Sequence, residues 1–192
     1  GYAKNACAYR KDKTGCKRQI GTLTPDRHEM VLGTPAVGDL DKDGKVEVVL
    51  TTYDGHVFAV HADGTPVKGF PVEVERKNAL KTDEEHLWDD GIFAAVSLAD
   101  LDKDGKLEIV APAMDQRVYV WRHDGSLQPG FPVLVRDPEA GDSKGDRIIT
   151  SAAIGDIDGD GTLDIATGTN EVFGSGAAKN EARGYVLHGN GN

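Results

Sequence analysis

Twelve of the chain's 32 acidic residues fall into three copies of one nine-residue pattern: Asp39-Leu-Asp41-Lys-Asp43-Gly44-Lys45-Val-Glu47, then Asp100 to Glu108, then Asp156 to Asp164. Carboxylates at positions 1, 3 and 5 of a tight coil converge on one point. A glycine at position 6 (Gly44, Gly105, Gly161) permits the sharp turn, and position 7 can offer its backbone carbonyl. Position 9 returns a fourth carboxylate, from Glu47, Glu108 or Asp164. Oxygen-only donors on a flexible loop suit a hard cation of variable coordination number, which favours Ca²⁺ over Mg²⁺ and excludes soft metals. The helix–loop–helix calcium hand begins the same way but needs a bidentate Glu at position 12. Those positions are Leu50, Ala111 and Thr167. A merely solvated charged turn would not keep the same four acidic positions around the same glycine three times.

The elements that must hold these loops are strands. Val46 to Leu50 and Leu107 to Val110 are short, apolar, β-branched runs directly after the loop. The first Asp of the loop recurs after 61 and then 56 residues, and superposing the copies on it aligns much more. Val57-Phe58-Ala59-Val60 falls on Val118-Tyr119-Val120-Trp121 and on Gly184-Tyr185-Val186-Leu187. The turn at Asp63-Gly64 falls on Asp124-Gly125 and Asn190-Gly191, and Gly69-Phe70-Pro71 on Gly130-Phe131-Pro132. Each unit reads as four antiparallel strands: one near Thr34 to Gly38, one after the calcium loop, one in the aromatic run, and an outer one from the Gly-Phe-Pro. Strand one is small (Ala36, Ala94-Ala95, Ala152-Ala153) and strands two and three are bulky. A radial array needs that gradient, because inner strands crowd around one axis. The expected fold is therefore all-β, three four-stranded blades of a β-propeller at 31–91, 92–147 and 148–192, with residues 1–30 a loop-rich remainder of a preceding blade.

These features resemble the FG-GAP and VCBS repeats of integrin α-subunit-like propellers, over residues 31 to 192. The resemblance implies three Ca²⁺ sites. Their ligands would be Asp39, Asp41, Asp43, the Lys45 carbonyl and Glu47; then Asp100, Asp102, Asp104, the Lys106 carbonyl and Glu108; then Asp156, Asp158, Asp160, the Thr162 carbonyl and Asp164. Closed propellers have about four to eight blades. Three leave sheet faces uncovered, so the remaining blades are expected from the parent protein or a second copy.

The formal charge of −10 bears on partners. Three Ca²⁺ would cancel 6 and leave −4, and outside the first eighteen residues no basic stripe offsets it, which argues against nucleic acid. No apolar stretch reaches membrane-span length. The chain begins at Gly1 and reads as a processed or excised piece. Cys7 and Cys16 are its only cysteines, an even pair, which favours a Cys7–Cys16 disulfide; two free thiols, or a zinc pair with His28 the only further ligand nearby, are the alternatives. Calcium loops of this kind suit an extracellular, cell-surface or periplasmic setting, where free Ca²⁺ is high.

No catalytic constellation emerges. Ser175 lies in Gly-Ser-Gly without a strand–turn–helix context, and His61, His123 and His188 read as turn-flanking residues. Two functions remain: a binding or adhesion module with structural calcium, or a segment of a secreted carbohydrate-active enzyme resembling the polysaccharide lyases. The ligand would be protein or carbohydrate. Strand alternation puts the calcium loops and Asp-Gly turns on one face of the array and the long connections on the other: Glu75 to Asp90, Arg136 to Asp146, and Asn170 to Arg183. In the third unit Asp156 to Gly191 spans 35 positions where the other two units span 25. Variable loops on a rigid scaffold are where recognition concentrates, so Trp88, Asp89, Asp90 and Phe173 are the expected partner contacts.

Overall fold

A computed structural model describes residues 31, 33–78, 91–137, 147–173 and 179–191. The expected remainder at 1–30, the Cys7–Cys16 pair, His28, Trp88, Asp89, Asp90 and Ser175 lie outside them. Phe173 is described only as the last residue of a strand. No helix among the described residues is long and apolar enough to cross a membrane.

The fold is all-β, with three antiparallel sheets of four, four and three strands that follow one another along the chain. The first sheet runs β1 (Ala36–Gly38), β2 (Glu47–Thr51), β3 (His56–His61), β4 (Val72–Glu73); the second runs β5 (Ser97–Ala99), β6 (Glu108–Pro112), β7 (Arg117–Trp121), β8 (Val133–Leu134). Each strand pairs only with its sequence neighbours, and β4 and β8 form the outer edges, starting just after Pro71 and Pro132, which donate no ladder bond.

The third sheet departs from the expected four strands. Among the described residues it has β9 (Ala153–Gly155), β10 (Asp164–Phe173) and β11 (Lys179–His188). The segment from Asn170 to Arg183, expected to be a long loop, is for the most part the far half of a ten-residue hairpin, with Asn170 facing Ala182 and Phe173 facing Lys179. Its glycines and polar residues suggest a loop when read singly. Once Asp164 is registered against His188, however, the two strands continue in step, each backbone amide finding a partner across the hairpin.

Side-chain alternation gives each sheet two apolar faces. Here the face turned to the following sheet is termed trailing, and the face turned to the preceding one leading. The trailing residues Val49, Val57 and Ala59 of the first sheet pack with the leading residues Ile109, Ala111, Tyr119 and Trp121 of the second. The trailing residues Val110, Val118 and Val120 of the second sheet pack with Ile165, Tyr185 and Leu187 of the third. The middle sheet is thus buried on both faces, which explains why β6 is apolar throughout after Glu108 and buried at all five residues.

The small inner strands do meet, as the gradient of residue size required. β1 lies against β5 and β5 against β9. The Ser97 hydroxyl donates to the Ala152 carbonyl at 2.6 Å, and the Ala95 N–H to Ser151 Oγ at 3.1 Å. At the outer rim, Gly69 (φ 94°) lies against the Asp124-Gly125 turn and Gly130 (φ 92°) against Asn190-Gly191, so closely that a Cβ on either would overlap a backbone carbonyl. The glycine of each Gly-Phe-Pro is therefore required twice over, by its left-handed backbone and by the approach of the next sheet.

Candidate metal centre

Each acidic loop connects the first two strands of its sheet: β1 to β2, β5 to β6 and β9 to β10. The coil is set by the aspartates themselves. Asp39 Oδ2 accepts from the Gly44 N–H at 2.9 Å, Asp100 Oδ2 from Gly105 at 2.9 Å, and Asp156 Oδ2 from Gly161 at 3.0 Å. The position-5 carboxylate accepts from the N–H two residues on, Lys45, Lys106 or Thr162. Gly44, Gly105 and Gly161 have φ of 86°, 86° and 87°. Position 4 is left-handed too, at Lys42 (64°), Lys103 (63°) and Gly159 (78°). Two lysines there absorb a strain that the sequence pattern did not reveal.

The fourth carboxylate behaves differently from the other three. Glu47, Glu108 and Asp164 are 1%, 0% and 1% exposed, although they carry charge. One oxygen of each closes the loop from beneath: Glu47 Oε2 accepts from the Leu40 N–H at 3.0 Å, Glu108 Oε2 from Leu101 at 2.8 Å and Asp164 Oδ2 from Ile157 at 2.8 Å. In the outer two sheets the second oxygen meets an imidazole, Glu47 Oε1 with His61 Nδ1 at 3.1 Å and Asp164 Oδ1 with His188 Nδ1 at 3.0 Å. These histidines, read from sequence as turn residues, therefore touch the acidic loops. Their partners lie 14 and 24 residues away, so only the strand register could have revealed the contacts.

In the middle sheet the histidine is displaced by one position, and His123 Nε2 instead lies 3.0 Å from Lys106 Nζ. Glu108 Oε1 and Asp100 Oδ1 are then buried without a hydrogen-bond partner. Burial, reinforced by Asp102, Asp104 and Asp100, raises the Glu108 carboxyl from its usual 4.5 to about 7. A buried acid pair with unsatisfied oxygens is the electrostatic vacancy that a divalent cation fills, so the residues fit the metal that the loop pattern implies.

The loops bring together, with ligand atoms within 4.8 Å of one another, Asp39, Asp41 and Asp43; Asp100, Asp102 and Glu108; and Asp156, Asp158 and Asp164. Asp158 and Asp160 also lie together with His188. Glu47 and Asp104 are on their loops but outside these tight groups. Two basic side chains lie close in: Lys45 Nζ is 2.9 Å from Asp43 Oδ2, whose carboxyl it holds below the usual range, and Arg122 Nη2 is 3.1 Å from Asp102 Oδ2. The Thr162 hydroxyl similarly lowers Asp160. A shallow cleft of about 260 Å³ adjoins the third loop, lined by Leu101, Asp160, Thr162, His188, Gly189 and Asn190.

The loops are tied to one another across the sheets. The Leu107 N–H donates to the Leu40 carbonyl at 3.0 Å, and the Lys42 amine lies over Gly105 of the second loop. On the opposite face, His56 sits between two acids, with Nδ1 3.1 Å from Asp54 and Nε2 3.4 Å from Glu73, a pairing the sequence did not show. Beside it the buried Tyr119 hydroxyl donates to Asp115 Oδ2 at 2.6 Å and accepts from the Glu75 N–H at 3.2 Å, joining the first two sheets.

No curated protein matches the sequence. A solved structure described as BBS1N in complex with ARL6DN, soaked with lead, is similar over 84% of this chain at 10% identity, with a TM-score of 0.41. The chain spans 57% of that structure's length. Two repeat models match the sequence itself, an FG-GAP-like repeat over residues 100–167 and an FG-GAP repeat over 149–187. Both matches take in acidic loops and the strands flanking them: the chain carries FG-GAP-type repeats across residues 100–187.

Proposed function

We propose that this chain is a calcium-stabilised segment of a β-propeller that serves as a binding or adhesion module in an extracellular, cell-surface or periplasmic setting, with three Ca²⁺, one per acidic loop. The observation that carries the reading is the pair of buried, unpartnered oxygens on Asp100 and Glu108, set in a loop of four converging acids. Nothing in water or in the protein offsets those charges, and a bound cation would. Each ion would then hold the first two strands of its sheet together, with Glu47, Glu108 and Asp164 anchoring the loops to the core. The role of the metal is structural: a site assembled from the inner end of every sheet stabilises the stack that presents the connections on the other face. Recognition is assigned to that other face, to Trp88, Asp89, Asp90 and Phe173, because variable connections on a rigid scaffold are the usual recognition surface.

The test is calorimetric titration of metal-stripped protein with Ca²⁺, paired with melts. Three equivalents bound and a large rise in midpoint are expected, since a ligand present at 100 times its Kd adds about 2.7 kcal/mol per site. Melts that superimpose in the presence and absence of Ca²⁺ would dispose of the structural role. Protection by a captured partner that maps to Asp41, Asp102 and Asp158 instead of the opposite face would remove the recognition assignment.

A further inference from the structure

The two junctions between the sheets use the same positions. At loop position 2, Leu40 of the first sheet is 0% exposed in the first core and Leu101 of the second is 6% exposed in the second core. Each meets the leading face of the sheet that follows: Leu98 and Leu107 pack on the first core, Ile154 and Leu163 on the second. These leading residues stand at one inner-strand position and at loop position 8.

The outermost sheets leave both halves of this arrangement open. In the third sheet position 2 is Ile157, which is 54% exposed, and Val186, aligned with the buried Val120, is 55% exposed. In the first sheet the inner-strand equivalent of Leu98 and Ile154 is Val37, 61% exposed, and position 8 is Val46, 51% exposed. Farther out on that leading face, Leu50, Phe58 and Val60 are buried, so the opening lies along the inner strand and the acidic-loop side. One chain therefore displays an uncovered trailing surface at one end and an uncovered leading surface at the other, with the residue types that join in its own interior.

We infer that two copies of this chain associate head to tail, Ile157 and Val186 of one against Val37 and Val46 of the other. The interface continues the repeat already present inside the chain. Association of this heterologous kind polymerises unless the rotation closes. Here three sheets plus three make six, within the range of about four to eight at which propellers close, so a two-fold ring with two identical junctions is the expected particle. This inference rests on the propeller reading above, but it can fail while the calcium requirement stands.

The experiment is sedimentation equilibrium on the full chain in millimolar Ca²⁺, over micromolar to millimolar concentrations. The expected result is a reversible monomer–dimer equilibrium. Ile157→Asp and Val46→Asp each weaken it at least 100-fold while leaving the Ca²⁺-dependent shift in melting temperature in place, which shows that the variants fold. Val186→Lys supplies a second trailing-face variant should Ile157→Asp lose that shift. A chain that stays monomeric throughout, a dimer indifferent to variants at both ends, or an open-ended polymer would overturn the inference.

Discussion

Glu108 offers the most direct test of the electrostatic account, because its replacement should have opposite effects with and without metal. In the metal-free protein its carboxyl titrates near 7, against 4.5 when unperturbed, and it is fully buried. An acid whose folded pKa is raised favours folding while protonated. Stability is therefore highest below about pH 4.5, declines as the pH rises from 4.5 to 7, and levels off above. A shift of about 2.5 units corresponds to roughly 3 kcal/mol, or on the order of 6–12 °C in melting temperature for a chain of this size. Glu108→Gln removes the charge but keeps an amide oxygen to accept from the Leu101 N–H. In metal-stripped buffer at pH 8 the variant should be more stable than the parent by about that 3 kcal/mol, and this component of its pH dependence should vanish. In saturating Ca²⁺ the order should invert, since the cation needs the ionised ligand. Denaturant unfolding at pH 5 and pH 8, with and without Ca²⁺, measures all four corners. Equal pH slopes for the two proteins without metal, or a variant of the same rank in both conditions, would refute the assignment of Glu108 as a strained, metal-seeking acid.

Asp102→Ala, which removes one ligand of the tight Asp100–Asp102–Glu108 group, should lower Ca²⁺ affinity in calorimetry by at least tenfold at one of three sites. Gly69→Ala should destabilise by more than 2 kcal/mol in chemical unfolding, because it combines a left-handed backbone at φ 94° with a clash against the next sheet's turn. Tyr119→Phe should cost about 1.5–3 kcal/mol through the lost bond to Asp115, with Ca²⁺ affinity unchanged because the network lies on the opposite face.

What could be read in the sequence were features confined to a short stretch or repeated at constant spacing. The three loops, the strand after each, the aromatic third strand and the outer edge at Gly-Phe-Pro all meet that condition, and the small inner strands stand side by side as their side-chain sizes required. The third sheet broke the pattern. It lacks the Gly-Phe-Pro that marks a fourth strand in the other two, and its polar, glycine-containing extension becomes strand only through the pairing of β10 with β11. Contacts between separate strands were likewise invisible: His61 on Glu47, His188 on Asp164 and His56 between Asp54 and Glu73 each need the register before they can be drawn. The left-handed Lys42 and Lys103 escaped notice because lysine gives no warning of such a backbone, whereas Gly159 holds the same position in the third loop.

The two-faced middle sheet also carries an evolutionary consequence. Ile109 and Val110 are covalent neighbours, yet the first belongs to the core shared with the preceding sheet and the second to the core shared with the following one. Selection acting on one junction should therefore leave the adjacent residue untouched. Among relatives with this architecture, substitutions should covary between residues some sixty positions apart, such as Val49 with Ile109, and remain statistically independent between residues next to each other along a strand. Duplication of a whole sheet would preserve every such coupling, because the copy brings a leading and a trailing face already matched to those beside it, and the lineage could change its number of sheets without passing through a mispacked intermediate.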